Sequence, residues 1–403
     1  MSLFDRMFFY SMIIYPVIGF VSIVYFEVLP YNIVFVLLVT SFVYKFGLKK
    51  SFIFPKYLQY YTLYVITVFV STYFLHDNAF QIDAQFSKII LYLLPVFIFL
   101  IIENTTFSVH FIITSRRIIT YLIFVAAFVS IIQYFNPRFL VNTAKYTLLV
   151  RDEYFAGYAR RIMSIFTWGE LSDSRYIAIG FVSFYGILIY EYKNKKLLSS
   201  LLPILTGIVI LFYQSRIAML TYLITTLFLV FNKMSFKLII YIILILISFF
   251  LIAEFLDFDF TFFVENRIKS ESALTRIDAF AAFFYAFPKN PFFGTGGVRT
   301  EALFEGYGHM ARLHNAHLSI AYYYGIFAFL LHTLFLIALI RKNYITARKA
   351  QYWPPFVSIL CYMTATMTMP GGEFYEPGLI LMMVFNKFYF DKHLLIKASE
   401  END

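Results

Sequence analysis

Charged residues are scarce in this sequence, and their scarcity excludes an ordinary soluble protein. Only 14% of the 403 residues are charged, whereas 61% are hydrophobic and 22% are aromatic. A soluble domain carries roughly 25% charged and about 45–50% apolar residues. The mean hydropathy of +0.73 agrees with this contrast. The composition therefore predicts an all-α integral membrane protein.

Cysteine and the common cofactor motifs are also nearly absent. The single cysteine, Cys361, lies inside an apolar run, so no intrachain disulfide can form. Neither a GxGxxG nor a GxxxxGK[ST] loop occurs, which leaves nucleotide binding unsupported. The histidines His314 and His317, and the DxD spacing of Asp257 and Asp259, are weak metal-site candidates without an HExxH or a carboxylate-containing zinc pattern. We expect neither metal nor cofactor.

Apolar runs long enough to span a bilayer recur along the chain, since a span needs about 20 mostly apolar residues. The second, seventh and last runs are short or weakly flanked, so eleven spans are the alternative to twelve. The first run lacks a signal cleavage site and should stay as an anchor. No internal repeat or soluble domain is visible, and residues 1–403 form one polytopic domain. The twelve runs lie near 7–27, 31–47, 57–75, 87–103, 117–136, 175–192, 197–213, 216–232, 237–256, 316–340, 354–369 and 377–390.

The net charge of +9 is concentrated in alternate loops. In a soluble protein such a charge would suggest nucleic acid, but here it follows the rule that lysine and arginine stay on the cytoplasmic side. Both termini are therefore predicted to be cytoplasmic. The basic residues of these loops are Lys45, Lys49, Lys50, Lys56, Arg116, Arg117, Lys193, Lys195, Lys196, Lys233, Arg341, Lys342, Arg348 and Lys349.

Two long outward loops, at about 137–174 and 257–315, hold most of the outward-facing ionisable residues. Long loops without repeats are often functional, and arginine on the outer face opposes the orientation rule. Within the second loop, residues 272–287 predict a short helix that Pro288 ends, lying in the interface or packed on the bundle. The glycine-rich NPFFGTGG that follows lets the backbone approach a ligand or make tight turns.

Polar residues directly precede the tenth span, 316–340. Asn315 stands where an N-cap residue belongs. His332, further along the same span, is predicted to be a hydrogen-bonded core residue. Arg216 stands at the outer end of the eighth span, where a snorkelling end residue is the simple alternative.

Several of these residues together resemble a known family. Arg276 with Phe280, the glycines of NPFFGTGG, "HN" at 314–315 and "YYYG" at 322–325 resemble the bacterial O-antigen polymerase/ligase superfamily. "SRIAML" at 215–220 is similar to the Ser-Arg entry to a span in that family. "RRIMSIFTWGELSDSR" resembles its Arg-x-x-G-x-F region, although Ser164 replaces the usual glycine, so the choice among Arg160, Arg161 and Arg175 stays open.

The resemblance implies a polymerase that joins saccharide repeat units on undecaprenyl diphosphate, at the outer face of the bacterial inner membrane. The arginines would bind the diphosphate, and His314 would act as the base or only hydrogen-bond the substrate, with Glu373 as a rival base. A chain-length regulator is the protein partner that the resemblance suggests, beside membrane lipid. The alternatives are an O-antigen ligase acting on lipid A–core and a flippase of lipid-linked sugar, which would favour charges within spans and inverted repeats.

Overall fold

The structure is a computed structural model that describes residues 2–21, 31–48, 52–73, 82–136, 196–213, 283–296 and 315–350, with single residues or pairs at 139, 219–226, 281 and 353–387. These parts of the chain contain helices and no strand. The α-helices are α1 (Leu3–Val21), α2 (Tyr31–Leu48), α3 (Lys56–Tyr73), α4 (Ile82–Glu103), α5 (Val109–Phe135), α6 (Lys196–Tyr213) and α7 (Ala316–Ala350).

Side-chain caps fix where two of the helices begin. The Ser2 hydroxyl accepts from the Asp5 amide at 3.1 Å, and the Asp5 carboxylate accepts from the Ser2 amide at 3.2 Å. This reciprocal pair satisfies two amides that a helix start leaves unbonded. At the start of α5 the Ser108 hydroxyl accepts from the Phe111 amide at 3.2 Å.

The described helices overlap the predicted apolar runs, but α5 begins at Val109 and α7 continues to Ala350. The basic residues that were predicted in loops and instead lie within these two helices are Arg116, Arg117, Arg341, Lys342, Arg348 and Lys349. The second and seventh runs, which the sequence left in doubt, are the helices α2 and α6 of 18 residues each. In the part of the chain that the structure describes, Val109–Gln133 and Ala316–Lys349 are long and apolar enough to cross a membrane by length and composition. The all-helical prediction is confirmed for these residues, while the number of spans stays a prediction.

The core is aromatic and lies where α3 packs against α7. Tyr64 contacts His332 with ring centroids 5.1 Å apart, and Tyr61 contacts Phe335 at 4.8 Å. Near the start of α3, the Lys342 ammonium lies 4.9 Å from the Tyr57 ring. Contacts that advance along α3 recede along α7, so the two helices are antiparallel. His332 is buried, which confirms its predicted place in the core.

Ion pairs gather at one end of the bundle, which we call the ionic end. The buried Asp5 carboxylate accepts from Lys45 at 3.0 Å and from the Ser41 hydroxyl at 2.8 Å. Lys45 also donates to the Thr105 hydroxyl. Glu103, at the end of α4, pairs with Lys342.

Further hydrogen bonds attach Ile53, in the connection between α2 and α3, and Lys387 to the ionic end. The Asn104 side chain accepts from the Ile53 amide at 2.7 Å and donates to the Ile53 carbonyl at 2.9 Å. The Lys387 ammonium donates to the carbonyl of Ile102 at 2.9 Å and to that of Glu103. The ionic end thus joins the start of α1 and α3 to the ends of α2, α4 and α7.

The opposite end of the bundle contains Ser71 near the end of α3 and residues 290–296 of the second long loop. The Ser71 hydroxyl donates to the Phe293 carbonyl there. Among the described residues, the connections 52–55 and 104–108, predicted to face inward, and residues 290–296, predicted to face outward, therefore lie at opposite ends of the bundle. Which end faces the cytoplasm remains a prediction.

Candidate functional site

The helix predicted as one span at 316–340 is broken. Gly325 has φ 82° and ψ −179°, outside helical geometry, and divides α7 into α7a (residues 316–324) and α7b (residues 326–350). The prediction of a single continuous span is therefore wrong. From sequence alone, an isolated glycine in an apolar run is predicted to be helical. A break at that glycine loses helical hydrogen bonds, and no neighbouring residue indicates which groups would replace them.

Residues 290–296, which we call the wedge, supply that replacement. In a continuous helix the Tyr322 carbonyl would accept from the Ile326 amide. Here it accepts from the Thr295 amide at 3.2 Å, and Ile326 donates to the Pro291 carbonyl at 2.8 Å. The Gly296 amide donates to the Tyr323 carbonyl at 2.9 Å. Backbone groups at membrane depth must find partners within the protein, and the wedge provides them from a second segment.

Two glycines make this close approach possible. A Cβ atom at Gly325 would overlap the carbonyl of Phe292, and one at Gly294 would overlap the backbone of Tyr323 and Tyr324. Gly294 has φ 67°, so both glycines occupy the left-handed region that other residues rarely enter. At NPFFGTGG the backbone thus closely approaches α7, a partner that the sequence did not predict.

The residues before the wedge pack on α7a. Residues 283–286 are helical, and the 3₁₀ turn Phe287–Lys289 follows, which confirms the end of the predicted short helix near Pro288. Phe283 and Ala286 are buried against Ala321 and Tyr322. This helical turn therefore covers one side of α7a.

The segment α7a folds back beside α7b. His317 and His332 are 15 residues apart and would be about 22 Å apart along a straight helix. Their ring centroids are separated by only 5.6 Å. Two imidazole side chains on a straight helix are too short to close the gap between 22 Å and this distance. The bend at Gly325 is consequently sharp, and the start of α7a lies near the buried aromatic core.

Asn315 caps this start. Its side-chain oxygen accepts from the Leu318 amide at 3.0 Å, and its carbonyl accepts from the Ser319 amide at 2.9 Å. The predicted N-cap is confirmed. His314 directly precedes this cap in the sequence and lies outside the described residues. A capped helix start still offers backbone amides and a positive dipole end to an anion.

The other predicted site residues lie outside the described residues, so the structure brings none of them together. They are His314, Glu373, Arg216, Arg276, Arg160, Arg161 and Arg175. Among the residues that are described, no three histidine, cysteine, aspartate or glutamate side chains form a group that could hold a metal ion.

Residues 200–333 match the family model of the O-antigen ligases. The matched segment begins in α6 and ends in α7b, so it includes the wedge, α7a and Asn315. The match confirms the resemblance to the O-antigen polymerase/ligase superfamily and supports a membrane enzyme of that general type. Arg216, Arg276 and His314 fall inside the segment, whereas Arg160, Arg161, Arg175 and Glu373 fall outside it. No curated protein matches the chain.

The sequence did not predict which parts of the chain pack against each other around the matched segment, residues 200–333. Ser71 lies 222 residues before Phe293, to whose carbonyl it donates, and no motif marks it. In the sequence, Gly325 stands out only as the last residue of YYYG. A glycine in the middle of a span, together with a glycine-rich loop, is the signal from which the break could have been inferred.

Proposed function

We propose that the protein is a polysaccharide repeat-unit polymerase, a metal-independent glycosyltransferase that uses undecaprenyl-diphosphate-linked saccharides. The proposal is carried by the O-antigen ligase match at residues 200–333, which includes Arg216, Arg276 and the His314–Asn315 pair. The inner membrane of a bacterium is the proposed location, with the transfer site on the outer face.

The reaction joins an acceptor hydroxyl to the anomeric carbon of the donor saccharide. The bond between that carbon and the phosphate oxygen breaks, undecaprenyl diphosphate leaves with the bonding electrons, and the acceptor hydroxyl loses its proton. Because diphosphate is a good leaving group, the site needs positive donors for the developing charge more than it needs a general acid.

Arginine meets this need better than lysine, because its planar guanidinium binds phosphate oxygens in a bidentate way. Arg216 and Arg276 are assigned to the diphosphate, and one of Arg160, Arg161 and Arg175 is the third donor. The start of α7a is capped by Asn315. Its backbone amides and positive dipole end would also stabilise the negative charge of the diphosphate.

His314 is assigned as the base that takes the acceptor proton. It stands directly before the Asn315 cap, where the positive end of a helix favours the neutral imidazole over the charged one. A neutral imidazole can accept a proton. Hydrogen bonding to the diphosphate or to a sugar is the alternative role of His314, and Glu373 would then be the base.

An O-antigen ligase is the second candidate, because ligase is the description of the family that residues 200–333 match. The two functions predict different surface polysaccharides in a strain that lacks the protein. Lipid A–core that carries a single repeat unit on a gel identifies a polymerase. Loss of all attached antigen, with long chains still on the carrier, identifies a ligase. An unchanged polysaccharide contradicts both.

A further inference from the structure

The wedge does more than fill a gap in α7, because it determines where the start of α7a lies. Without the wedge, the carbonyl of Tyr322 and the amide of Ile326 would bond to each other and α7 would run straight through Gly325. Three hydrogen bonds between the wedge and α7 replace the continuous pattern. The direction of α7a therefore depends on residues about 30 positions earlier in the chain.

The wedge is itself held from a third direction. Ser71 is buried, and its hydroxyl donates to the Phe293 carbonyl in the middle of the wedge. Ser71 belongs to α3, which packs along α7b through the contacts of Tyr61 and Tyr64. The wedge is thus fixed to the same rigid helix pair from which α7a folds back.

We propose that Gly294, Gly325 and Ser71 are positioning residues, which hold the capped start of α7a at the distance and angle that glycosyl transfer requires. The proposal rests on the proposed function, because it concerns the same site. None of the three needs to touch the substrate. They act through the backbone of α7a, which carries Asn315 and is preceded by His314.

The proposal predicts a specific kinetic defect in Gly325→Ala. The added Cβ overlaps the Phe292 carbonyl, so the wedge and α7a must move apart. A displacement of about 1 Å at a transfer site can cost on the order of a hundredfold in rate. We expect kcat with a lipid-linked repeat-unit substrate to fall about a hundredfold, while KM changes little because the arginines still bind the diphosphate.

Gly47→Ala is the matched control. Gly47 lies in α2 near the ionic end, and outside its chain neighbours and the adjoining backbone of its own helix nothing lies within 4 Å of the position that its Cβ would take. The same substitution there adds the same methyl group without a clash. Gly47→Ala should keep the wild-type kcat and KM in the full-length protein in lipid nanodiscs.

Ser71→Ala is the milder variant, in case Gly325→Ala does not fold. It removes one hydrogen bond from the wedge and leaves both glycines in place. A single hydrogen bond contributes a factor of about three to ten, so kcat should fall by about that factor, again with little change in KM.

Hydrogen exchange of peptides from residues 316–324 reports the position of α7a independently of activity. In both variants we expect faster exchange in α7a and unchanged exchange in α5. If exchange in α7a increases while kcat stays at the wild-type value, the wedge is only structural and the proposal is overturned. Unchanged exchange in α7a in both variants overturns it as well. If the wild-type protein transfers saccharide to neither repeat-unit nor lipid A–core acceptors, the proposed function itself fails.

Discussion

At the scale of single residues, Asn315 is the predicted site residue whose contacts are known. Removing its side chain in Asn315→Ala leaves the Leu318 amide without its cap, which should cost about 1 kcal/mol of local stability. We expect faster hydrogen exchange in α7a and lower transfer activity. Asn315→Ser, which can still cap without adding a charge, should retain most of both.

Ser108→Ala is the control for this prediction. Ser108 caps α5 by the same type of bond to the Phe111 amide, but at the other end of the bundle from the wedge. The variant should lose similar local stability in α5 and keep its activity. Equal activity losses in Asn315→Ala and Ser108→Ala would mean that Asn315 contributes only to general stability.

We expect the substitutions Arg216→Lys and Arg276→Lys each to abolish most of the transfer activity. An ammonium keeps the charge but cannot replace a bidentate guanidinium, and loss of one donor at developing charge costs roughly 2.7–4 kcal/mol, or about a hundredfold to a thousandfold in rate. The measurement is polymer length at matched expression of Arg216→Lys and Arg276→Lys. Wild-type chain lengths would identify these residues as snorkelling anchors instead.

His314 can be tested by comparing alanine with glutamine. If it is the base, His314→Ala should lose about a hundredfold to ten-thousandfold in rate, and His314→Gln should be nearly as slow, because an amide accepts no proton. Binding of a lipid-diphosphate analogue should persist. Rescue of the rate by glutamine would assign His314 to substrate positioning and make Glu373 the next base to test.

His317→Ala is the companion to that experiment. His317 lies inside α7a and contacts the buried His332 with ring centroids 5.6 Å apart, so it faces the core instead of the capped end. We expect a smaller loss of rate than in His314→Ala. An equal loss in both variants would point to a general disturbance of α7a.

At the scale of elements, the sequence predicted ordinary helices well and predicted the broken one poorly. The second apolar run, 31–47, corresponds to α2 at Tyr31–Leu48, because a continuous apolar run is a local signal. The break at Gly325 depends on hydrogen bonds from Pro291, Thr295 and Gly296. Such a contact between distant segments leaves no periodicity in either one. The N-cap at Asn315, in contrast, is local and was predicted from one residue and the run after it.

The ionic end ties elements together through a buried pair. Lys45→Met should leave the Asp5 carboxylate buried without its ionic partner, and breaking such a pair from one side costs about 3–5 kcal/mol. We expect a clear drop in the unfolding temperature. The double variant Asp5→Leu with Lys45→Met removes both charges and should recover much of that loss. A double variant as unstable as Lys45→Met would indicate that packing, and not the lone charge, dominates.

At the scale of the whole molecule, the two ends of the bundle differ in chemistry. The described ion pairs join helix termini at the ionic end, whereas the wedge and its glycines lie at the other. This asymmetry fits the predicted orientation, with basic loops at one face and the wedge of the matched segment at the other.

Orientation in the membrane gives the last prediction. The alternating basic loops predict that residues 137–174 and 257–315 lie outside. In a Cys361→Ala background, cysteines at Ser172 and Thr300 should react with an impermeant thiol reagent in spheroplasts, and one at Asn194 should not. Labelling of Asn194 alone would reverse the topology.

The Asp5–Lys45 pair also constrains how the chain is made. Asp5 leaves the ribosome 40 residues before Lys45, and Thr105 follows Lys45 by another 60. At about 5–20 residues per second, the carboxylate waits about 2–8 s for Lys45, its ionic partner. Because the pair is buried in the finished bundle, we expect α1 and α2 to join the bundle together, after Lys45 has been made.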